Sequence, residues 1–209
     1  MKAALVYTGT TPELIELVER EVRKNIGPEA EIISSADPTI IAEVRDAGYV
    51  TPGAAARLIG MYTAAVQQGA DAFQSAARYI GVPVVRIDEE MCREAARMGR
   101  RIGVLATLAT TLEPTKNTIM RTAREMGRHV ELVDGLVDAF NMDQEQFRAL
   151  LISAAERMAG QVDVIVLAQG SMAYVEKDIE RAVNIPTLSS PRFGAVELRK
   201  ALQAKGLIS

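Results

Sequence analysis

Short apolar runs alternate with longer amphipathic stretches along the chain, and this alternation limits the possible folds more than any other feature. Amphipathic stretches with apolar residues at helical spacing include residues 12–26 and 52–69. A further helix is expected at residues 113–127, with Pro114 in its first turn. Strand-like apolar runs lie at residues 3–7, 31–34, 82–87, 101–107, 129–134, 162–169 and 184–189. Strand and helix in alternation predict right-handed crossovers and parallel sheets. We therefore expect an α/β protein.

The pattern restarts near residue 101, which indicates an internal repeat. KAALVYTGTTPE at residues 2–13 and RIGVLATLATTLEPT at residues 101–115 each have the pattern of a strand, a Thr-rich turn and a helix with an early proline. GADAF at 69–73 pairs in the same way with QVDVIVL at 161–167. The repeat predicts two pseudo-symmetric α/β lobes of Rossmann or flavodoxin type.

We expect these lobes to comprise residues 1–95 and 96–209, with the C-terminal helix able to pack on the first lobe. Each lobe should have a parallel sheet. Ligands of open α/β sheets bind outside the carboxyl ends of the strands, so two such lobes predict an active site between them.

Composition and charge exclude several classes of protein. The net charge is −3, no Lys/Arg stripe is present, and 4% of the residues are aromatic with no Trp, so we expect no nucleic-acid partner. The single cysteine cannot form an internal disulfide. No stretch approaches the roughly 20 apolar residues that span a bilayer, and the first residues lack the pattern of a signal peptide. We expect a cytoplasmic protein with no membrane partner.

The first half of the chain is shorter than the second after GADAF. Asp71 and Pro83 are separated by 12 positions, whereas the matching Asp163 and Pro186 are separated by 23, a difference of 11. A strand of three or four residues followed at once by a helix is awkward in a parallel sheet. Either the loop is trimmed in this protein, or the sequence lacks residues of the natural chain, and we favour the second explanation.

Four segments together resemble the aspartate/glutamate racemase superfamily, which also contains hydantoin racemases, arylmalonate decarboxylases and maleate isomerases. They are LVYTGTTP, GVPVVRIDE, RIGVLATLATTLEPT and VDVIVLAQGSM. The resemblance covers essentially the whole chain, and its most specific part is the Thr-rich segment 106–115. It implies two α/β lobes, a small carboxylate substrate such as an amino acid or a hydantoin, no metal or organic cofactor, and assembly into homo-oligomers.

The resemblance also implies a mechanism that this sequence does not fully support. Racemases of this type use two thiols on opposite faces of the α-carbon, because a single base would return the proton to the face it came from. The first thiol is expected in a loop after Phe73, where the shortfall lies, and the second at the position of Gln169. The only cysteine, Cys92, lies beside acidic residues that disfavour a thiolate. The catalytic residues are therefore unknown from the sequence.

Three turns are candidates for binding the substrate carboxylate. Thr hydroxyls and backbone N–H groups at strand-to-helix turns are neutral donors near a helix N-terminus. For the Thr residues the alternative is helix capping, and for Gln169 it is a hydrogen bond to neighbouring backbone. The candidate residues are Thr8, Gly9 and Thr10, then Thr107, Thr110 and Thr111, and finally Gln169, Gly170 and Ser171.

Three functions remain open at this point. The first is a racemase-type enzyme that acts at the α-carbon of a small carboxylate. The second is a one-thiol decarboxylase or cis–trans isomerase of the same superfamily. The third is a catalytically silent binding protein that kept the anion-binding turns and lost both thiols.

Overall fold

The computed structural model describes residues 2–9, 11–68, 72–74, 84–139 and 142–208, and for residues 72–74 and 84 it describes the backbone alone. The chain divides into two compact units, Met1–Ile87 with Pro191–Ser209, and Asp88–Ser190. The boundary lies between residues 87 and 88 and not between 95 and 96, so the helix that starts at Glu89 belongs to the second unit. The C-terminal residues belong to the first unit, which the expected division allowed.

Strands and helices alternate along most of the chain. The strands are β1 Lys2–Tyr7, β2 Glu31–Ala36, β3 Ala72–Gln74, β4 Val84–Val85, β5 Arg101–Ala106, β6 Glu131–Leu136, β7 Val164–Leu167 and β8 Thr187–Leu188. The α-helices are α1 Pro12–Ile26, α2 Pro38–Ala47, α3 Pro52–Gln67, α4 Glu89–Met98, α5 Ala109–Glu125, α6 Gln144–Met158, α7 Glu176–Val183 and α8 Ser190–Ala204. Short 3-10 helices occupy Ala159–Gln161 and Gly170–Val175.

Each unit contains one four-stranded parallel sheet, and the two sheets have the same topology. The strand order is β2-β1-β3-β4 in the first unit and β6-β5-β7-β8 in the second. Equivalent backbone hydrogen bonds occur in both: Asp37 N–H donates to Tyr7 O at 3.0 Å, and Val137 N–H donates to Ala106 O at 2.9 Å. The predicted α/β fold with two repeated parallel-sheet lobes is therefore confirmed.

The helix starts follow from local sequence. Thr11 and Thr51 each accept a hydrogen bond from a backbone N–H of the first turn, and a proline with a preset φ follows each of them. Asp143 forms a full capping box with Gln146 at the start of α6. These side chains satisfy N–H groups that a helix leaves unpaired at its start.

Two helices were not predicted, and both carry end signals in the sequence. Helix α2 begins after Asp37, which accepts a hydrogen bond from Thr39 N–H, and it ends at Gly48 with φ of 77°. Helix α7 ends at Asn184 in the left-handed region, with φ of 53°. Left-handed Gly and Asn are common helix terminators, so these two short helices were detectable.

The core of each unit lies between its sheet and the helices that cover it. In the first unit, Leu5 packs with Val18 and Val22 of α1 and with Leu198 and Leu202 of α8, which explains why the C-terminal helix belongs there. In the second unit, all four residues of β7 are buried. A strand buried on both faces is typical of a parallel sheet covered by helices. Among the described residues, no helix is long and apolar enough to cross a membrane.

Candidate functional site

The carboxyl edge of the second sheet contains a crevice defined by topology. The chain leaves β5 towards β6 on one side and later returns to β7 on the other side of β5. Crossovers that diverge in this way open a crevice between the two central strands, and ligands of doubly wound sheets bind there. Thr107 follows β5 directly, and Gln169 lies two residues after the end of β7. The topology thus brings two candidate turns together at one edge.

Gln169 and Thr107 are joined by three hydrogen-bond contacts across this crevice. Thr107 N–H donates to Gln169 Oε1 at 2.9 Å, and the Thr107 hydroxyl lies 3.1 Å from the same oxygen. Gln169 Nε2 donates to Thr107 Oγ1 at 2.8 Å. Both lone pairs of the amide oxygen are thereby occupied, and one of the two amide protons is used. Gln169 therefore links the segments that follow the two central strands, and its second N–H has no hydrogen-bond partner among the described residues.

Helix α5 begins earlier than the sequence pattern indicates. The prediction started this helix at residue 113, whereas the structure starts it at Ala109. Thr110 and Thr111 therefore lie inside the first turn of α5, not in a turn before it, and Pro114 lies inside the helix. The misreading came from treating Pro114 as a first-turn residue, because proline is most common there.

The three threonines of this segment use their hydroxyl protons differently. The hydroxyl of Thr111 donates to Leu108 O at 2.9 Å, and the hydroxyl of Thr107 is engaged with Gln169. The hydroxyl oxygen of Thr110 is buried and has no hydrogen-bond partner among the described residues. An unpaired buried hydroxyl is unfavourable, because the group has lost water without gaining a partner. Of the three, only Thr110 has a hydroxyl proton without a hydrogen-bond partner among the described residues.

The turn after Gln169 is a 3-10 helix, Gly170–Val175. Met172 N–H donates to Gln169 O at 3.0 Å, and the Met172 side chain is fully buried in the core of the second unit. Gly170 is half-buried, whereas Ser171 is exposed. Buried Met172 anchors the turn, so Ser171 faces solvent at the same edge as Gln169.

In the first unit, the turn after β1 is covered by helix α2. Thr8 O accepts a hydrogen bond from Ile41 N–H of α2 at 3.0 Å. A Cβ on residue 9 would overlap with Cγ2 of Ile41 and lie 2.8 Å from Ile41 Cβ, so Gly9 is needed for this close approach. Thr10 lies outside the described residues. The sequence prediction missed α2, and with it this packing role of Gly9.

Helix α2 is held to α3 by an ion-pair cluster. Arg57 Nη2 of α3 lies 2.6 Å from Glu43 Oε2, and its Nε lies 3.3 Å from Asp37 Oδ2. The hydroxyl of Thr51 also donates to Glu43. The Thr51 hydroxyl and then the Arg57 guanidinium lower the pKa of Glu43, while the Thr39 hydroxyl is the main cause of the lowered pKa of Asp37. The cluster fixes the helix that covers Thr8 and Gly9.

Comparison with known proteins assigns the chain to a family. The sequence model of the family described as Asp/Glu/Hydantoin racemase matches residues 4–198, nearly the whole chain. The chain belongs to this racemase family. A search of curated protein sequences finds no match.

Solved structures of racemases share the fold. Allantoin racemase from Klebsiella pneumoniae superposes with a TM-score of 0.73 at 20% identity, with 100% of this chain and 89% of that chain covered. For a glutamate racemase from Bacillus anthracis the TM-score is 0.75 at 16% identity, with 99% and 83% covered. An aspartate racemase homologue from Pyrococcus horikoshii OT3 gives 0.60 at 18% identity, with 99% and 100% covered. At these identities the likeness concerns the fold.

The thiols expected from the racemase resemblance are not found at the described carboxyl edges. The predicted position of the first thiol, after Phe73, falls on residues 75–83, which lie outside the described residues. The predicted position of the second is occupied by Gln169. The only cysteine in the sequence, Cys92, is on α4 with 0% of its surface exposed. Cys92 packs inside the second unit and does not reach solvent.

A buried carboxylate near β8 was not singled out by the sequence. Glu176, the first residue of α7, is 6% exposed and accepts a hydrogen bond from the hydroxyl of Ser189, which follows β8. Lys177 Nζ lies 3.9 Å from its other oxygen. A buried acid is retained only where partners compensate for lost hydration. Acidic residues are common in the first turn of a helix, where they interact favourably with the helix dipole, so nothing in the sequence singled out Glu176.

Among the described residues, no cluster of His, Cys, Asp or Glu is arranged to hold a metal ion.

Proposed function

We propose that this chain is a cofactor-independent, racemase-type enzyme that acts at the α-carbon of a small carboxylate substrate, an amino acid or a hydantoin-like compound. The observation that carries the proposal is the Thr110 hydroxyl, a buried donor without a partner among the described residues. It lies in the first turn of α5, in a chain of the Asp/Glu/Hydantoin racemase family.

The chemistry requires donors at the place where the carboxylate sits. Removal of a proton from the α-carbon shifts negative charge onto the adjacent carboxylate or carbonyl oxygen. Fixed neutral donors stabilise this charge without reorganising during the reaction. In this proposal the Thr110 hydroxyl and the remaining N–H of Gln169 donate to those oxygens. The positive end of the seventeen-residue α5 favours the same anion.

Thr107 and Thr111 have supporting parts in this proposal. The hydroxyl proton of Thr107 is engaged with Gln169, and that of Thr111 is donated to Leu108 O. Thr107 therefore orients the Gln169 amide, and Thr111 stabilises the first turn of α5. Of the three threonines, only Thr110 gains a hydrogen-bond partner for its hydroxyl group when a carboxylate binds.

Exchange of the α-hydrogen with deuterated solvent tests the proposal. The panel is aspartate, glutamate, allantoin and 5-substituted hydantoins, since the structural relatives include aspartate, glutamate and allantoin racemases. Proton NMR should show loss of the α-hydrogen signal for one of them, with inversion of configuration by chiral chromatography. The Thr110→Val variant should lose most of this rate, and Thr111→Val should keep it. Exchange no faster than in protein-free buffer for the whole panel contradicts the enzyme proposal.

A second candidate function has a specific observation in its favour. Gln169 stands where the second thiol is expected, with its amide tied to Thr107, and Cys92 is buried. A chain that keeps the carboxylate-binding donors without either thiol would be a binding protein. Ligand-induced stabilisation without exchange of the α-hydrogen, abolished in Thr110→Val, would identify this function.

A further inference from the structure

The 3-10 turn after β7 has one buried side and one exposed side. A 3-10 helix has three residues per turn, so residues three positions apart lie on the same side. Met172 and Val175 are both fully buried in the core of the second unit. Ser171 is exposed, and Tyr174, three residues further on, is 43% exposed. Ser171 and Tyr174 therefore share the side of this turn that faces solvent at the carboxyl edge of the second sheet.

A second aromatic ring, from another connection of the same unit, supports Tyr174. Phe147 lies near the start of α6, which follows β6, and it packs against the core of the second unit. The two rings are stacked, with centroids 6.4 Å apart and an angle of 23° between their planes, an arrangement that is favourable for aromatic side chains. Phe147 thus holds Tyr174 in place while part of Tyr174 stays open to solvent. We call Tyr174 and Phe147 the aromatic pair.

The exposed part of the aromatic pair has the size of a single small group. A fully buried aromatic side chain covers about 150–250 Å², so the exposed 43% of Tyr174 amounts to on the order of 100 Å². A specific protein interface buries about 800 Å² on each partner, far more than this pair offers. An apolar group of a small ligand therefore matches the aromatic pair better than a protein partner does.

Charged groups beside the aromatic pair disfavour a second carboxylate on such a ligand. Residues 137–148 contain one base, Arg148, and three acids, Asp138, Asp143 and Glu145. Arg148 Nε lies 2.9 Å from Asp178 Oδ2, and its Nη1 lies 3.3 Å from Glu145 Oε1. Lys177 Nζ of α7 lies 2.6 Å from Glu180 Oε2. A ligand carboxylate would meet an excess of acid here and would compete for bases that already have partners, whereas an uncharged substituent has neither disadvantage.

Thr110 and the aromatic pair lie towards opposite faces of the second sheet. Helix α5 leads from β5 out to β6, and α6 leads from β6 back past β5 to β7. Right-handed crossovers that run in opposite directions put their helices on opposite faces of a sheet. A substrate whose carboxylate is bound by Thr110 and Gln169 therefore has the side of Ser171 and Tyr174 left for its substituent.

We infer that Tyr174, supported by Phe147, is a specificity-determining residue that packs against an aromatic substituent on the α-carbon of the substrate. The inference rests on the proposed function, because it takes the position of the carboxylate from there. Tyr174 selects among substrates and takes no part in proton transfer. Among amino acids and hydantoin-like compounds, those with a benzyl or phenyl substituent should be preferred. Aspartate, glutamate and allantoin carry charged or strongly polar substituents and should be poor substrates.

Exchange of the α-hydrogen in compounds that differ only in their substituent tests the inference. One series is 5-benzylhydantoin, 5-methylhydantoin and hydantoin-5-acetic acid, and the other is phenylalanine, alanine and aspartate, each corrected for exchange without protein. In the active series, kcat/KM for the benzyl compound should exceed that for the methyl and the acidic compound at least about tenfold. Tyr174→Ala should lower the benzyl-to-methyl ratio about tenfold, whereas Tyr174→Phe keeps the ring and should keep the ratio.

A second variant and a matched control keep the test sharp. Tyr174→Lys introduces a cation and should shift the preference from the benzyl towards the acidic compound. Met98 is 44% exposed at the end of α4, just before β5 begins, so it lies at the opposite edge of the same unit. Met98→Ala should leave the benzyl-to-methyl ratio unchanged. Thermal unfolding establishes that each variant is folded.

Different results overturn the inference and the proposed function. The inference alone fails if the acidic or methyl compound is exchanged as fast as the benzyl compound, or if folded Tyr174→Ala and Tyr174→Lys keep the native ratio. Calorimetric titration with the same compounds separates binding from turnover. Binding of 5-benzylhydantoin that Tyr174→Ala weakens about tenfold, without exchange, would support the role of Tyr174 and contradict the enzyme proposal. If no compound binds or exchanges, the proposed function fails and the inference fails with it.

Discussion

Gln169 Nε2 donates to Thr107 Oγ1 at 2.8 Å, and Thr107 N–H donates back to Gln169 Oε1 at 2.9 Å. This reciprocal pair joins the segments after β5 and β7, the two central strands of the second sheet. The pair holds the side-chain amide of Gln169 at the position where the racemase resemblance predicts the second thiol. A side-chain amide takes up no proton near neutral pH, so Gln169 does not supply the acid–base chemistry of a thiol.

The Gln169–Thr107 link should make the effects of substitution at these residues non-additive. Gln169→Leu removes the acceptor of Thr107 N–H, and we expect a loss of about 1–3 kcal/mol in the free energy of unfolding. Thr107→Val should lose about 1 kcal/mol, and the double variant should lose less than the sum, with a coupling of about 0.5–3 kcal/mol. Urea unfolding of the four proteins measures this. Gln203→Leu, at an exposed position of α8, is the control, and additive losses would disprove the link.

Replacement of Thr110 by Val should have opposite effects on stability and on binding. Its buried hydroxyl has no partner among the described residues, so Val removes an unfavourable polar group, and the free energy of unfolding should rise by up to about 1 kcal/mol. A hydrogen bond to a charged ligand is worth about 1.5–3 kcal/mol, so affinity for a carboxylate substrate should fall about 10- to 100-fold. Thermal unfolding and calorimetric titration measure the two effects.

Thr111→Val is the matched control for this experiment. It removes the hydrogen bond to Leu108 O, so stability should fall by about 0.5–1.5 kcal/mol while affinity stays near that of the native chain. If Thr110→Val lowers stability and leaves binding unchanged, the hydroxyl has a structural partner and is not the ligand donor.

Asp163 should make stability depend on pH in the acidic range. Its Oδ2 accepts hydrogen bonds from Arg101 N–H at 2.8 Å and Arg100 N–H at 3.0 Å, and Oδ1 lies 2.8 Å from Arg101 Nη2. The Arg101 backbone N–H, followed by its guanidinium, lowers the pKa of Asp163 below its ordinary value. A lowered folded-state pKa contributes stability that is complete above the unfolded pKa of about 3.9 and is lost as pH falls through the folded pKa.

Asp163→Asn should therefore reduce the free energy of unfolding at neutral pH. This effect should shrink below about pH 4, where the carboxyl group of the unfolded chain binds a proton while that of the folded chain is still ionised, and it should vanish below the folded-state pKa. Urea unfolding between neutral and acidic pH gives the profile. Glu156→Gln, at an exposed position of α6, should change little at any pH. A difference between Asp163→Asn and the native chain that stays constant down to the lowest pH would mean that ionisation of Asp163 plays no part.

Gly9→Ala should disturb the contact between the first turn and α2. The added Cβ overlaps with Ile41 Cγ2, and overpacking of this kind costs about 1–3 kcal/mol. Ile41→Ala removes the overlapping methyl group, so the double variant should lose less stability than the two single losses predict. Gly160→Ala, which meets no atom within 4 Å, should be close to neutral. Equal effects of Gly9→Ala and Gly160→Ala in chemical unfolding would contradict the close approach.

Much of the architecture could be predicted from local sequence signals. Apolar runs and helical spacing identified most elements, because strands buried on two faces and amphipathic helices leave strong periodic patterns. The repeat between residues 2–13 and 101–115 predicted two similar sheets, and the common strand order confirms it. Helices α2 and α7 were missed, since each is short and its signal lies mainly in the terminating Gly48 and Asn184.

The functional assignment of individual side chains could be predicted only in part. The Thr-rich segment pointed to α5, but Thr107, Thr110 and Thr111 look alike in a sequence. Their hydroxyls differ because one faces Gln169, one faces Leu108 O and one meets no partner among the described residues. The distinction depends on which residue of another strand or turn comes within hydrogen-bonding distance.

Sequence alone determined the class of fold, the internal repeat and the resemblance to the Asp/Glu/Hydantoin racemase family, because periodicity and turn composition are local properties that each segment carries by itself. Tertiary structure decided that Gln169 forms hydrogen bonds with Thr107, a residue 62 positions away. It also decided that Ile41 packs against Gly9 where a Cβ atom would not fit, and that the exposed residues of α3 are uncharged. Hydrogen bonds and close contacts act over a few ångströms, so they are set by which segments the folded sheets bring together.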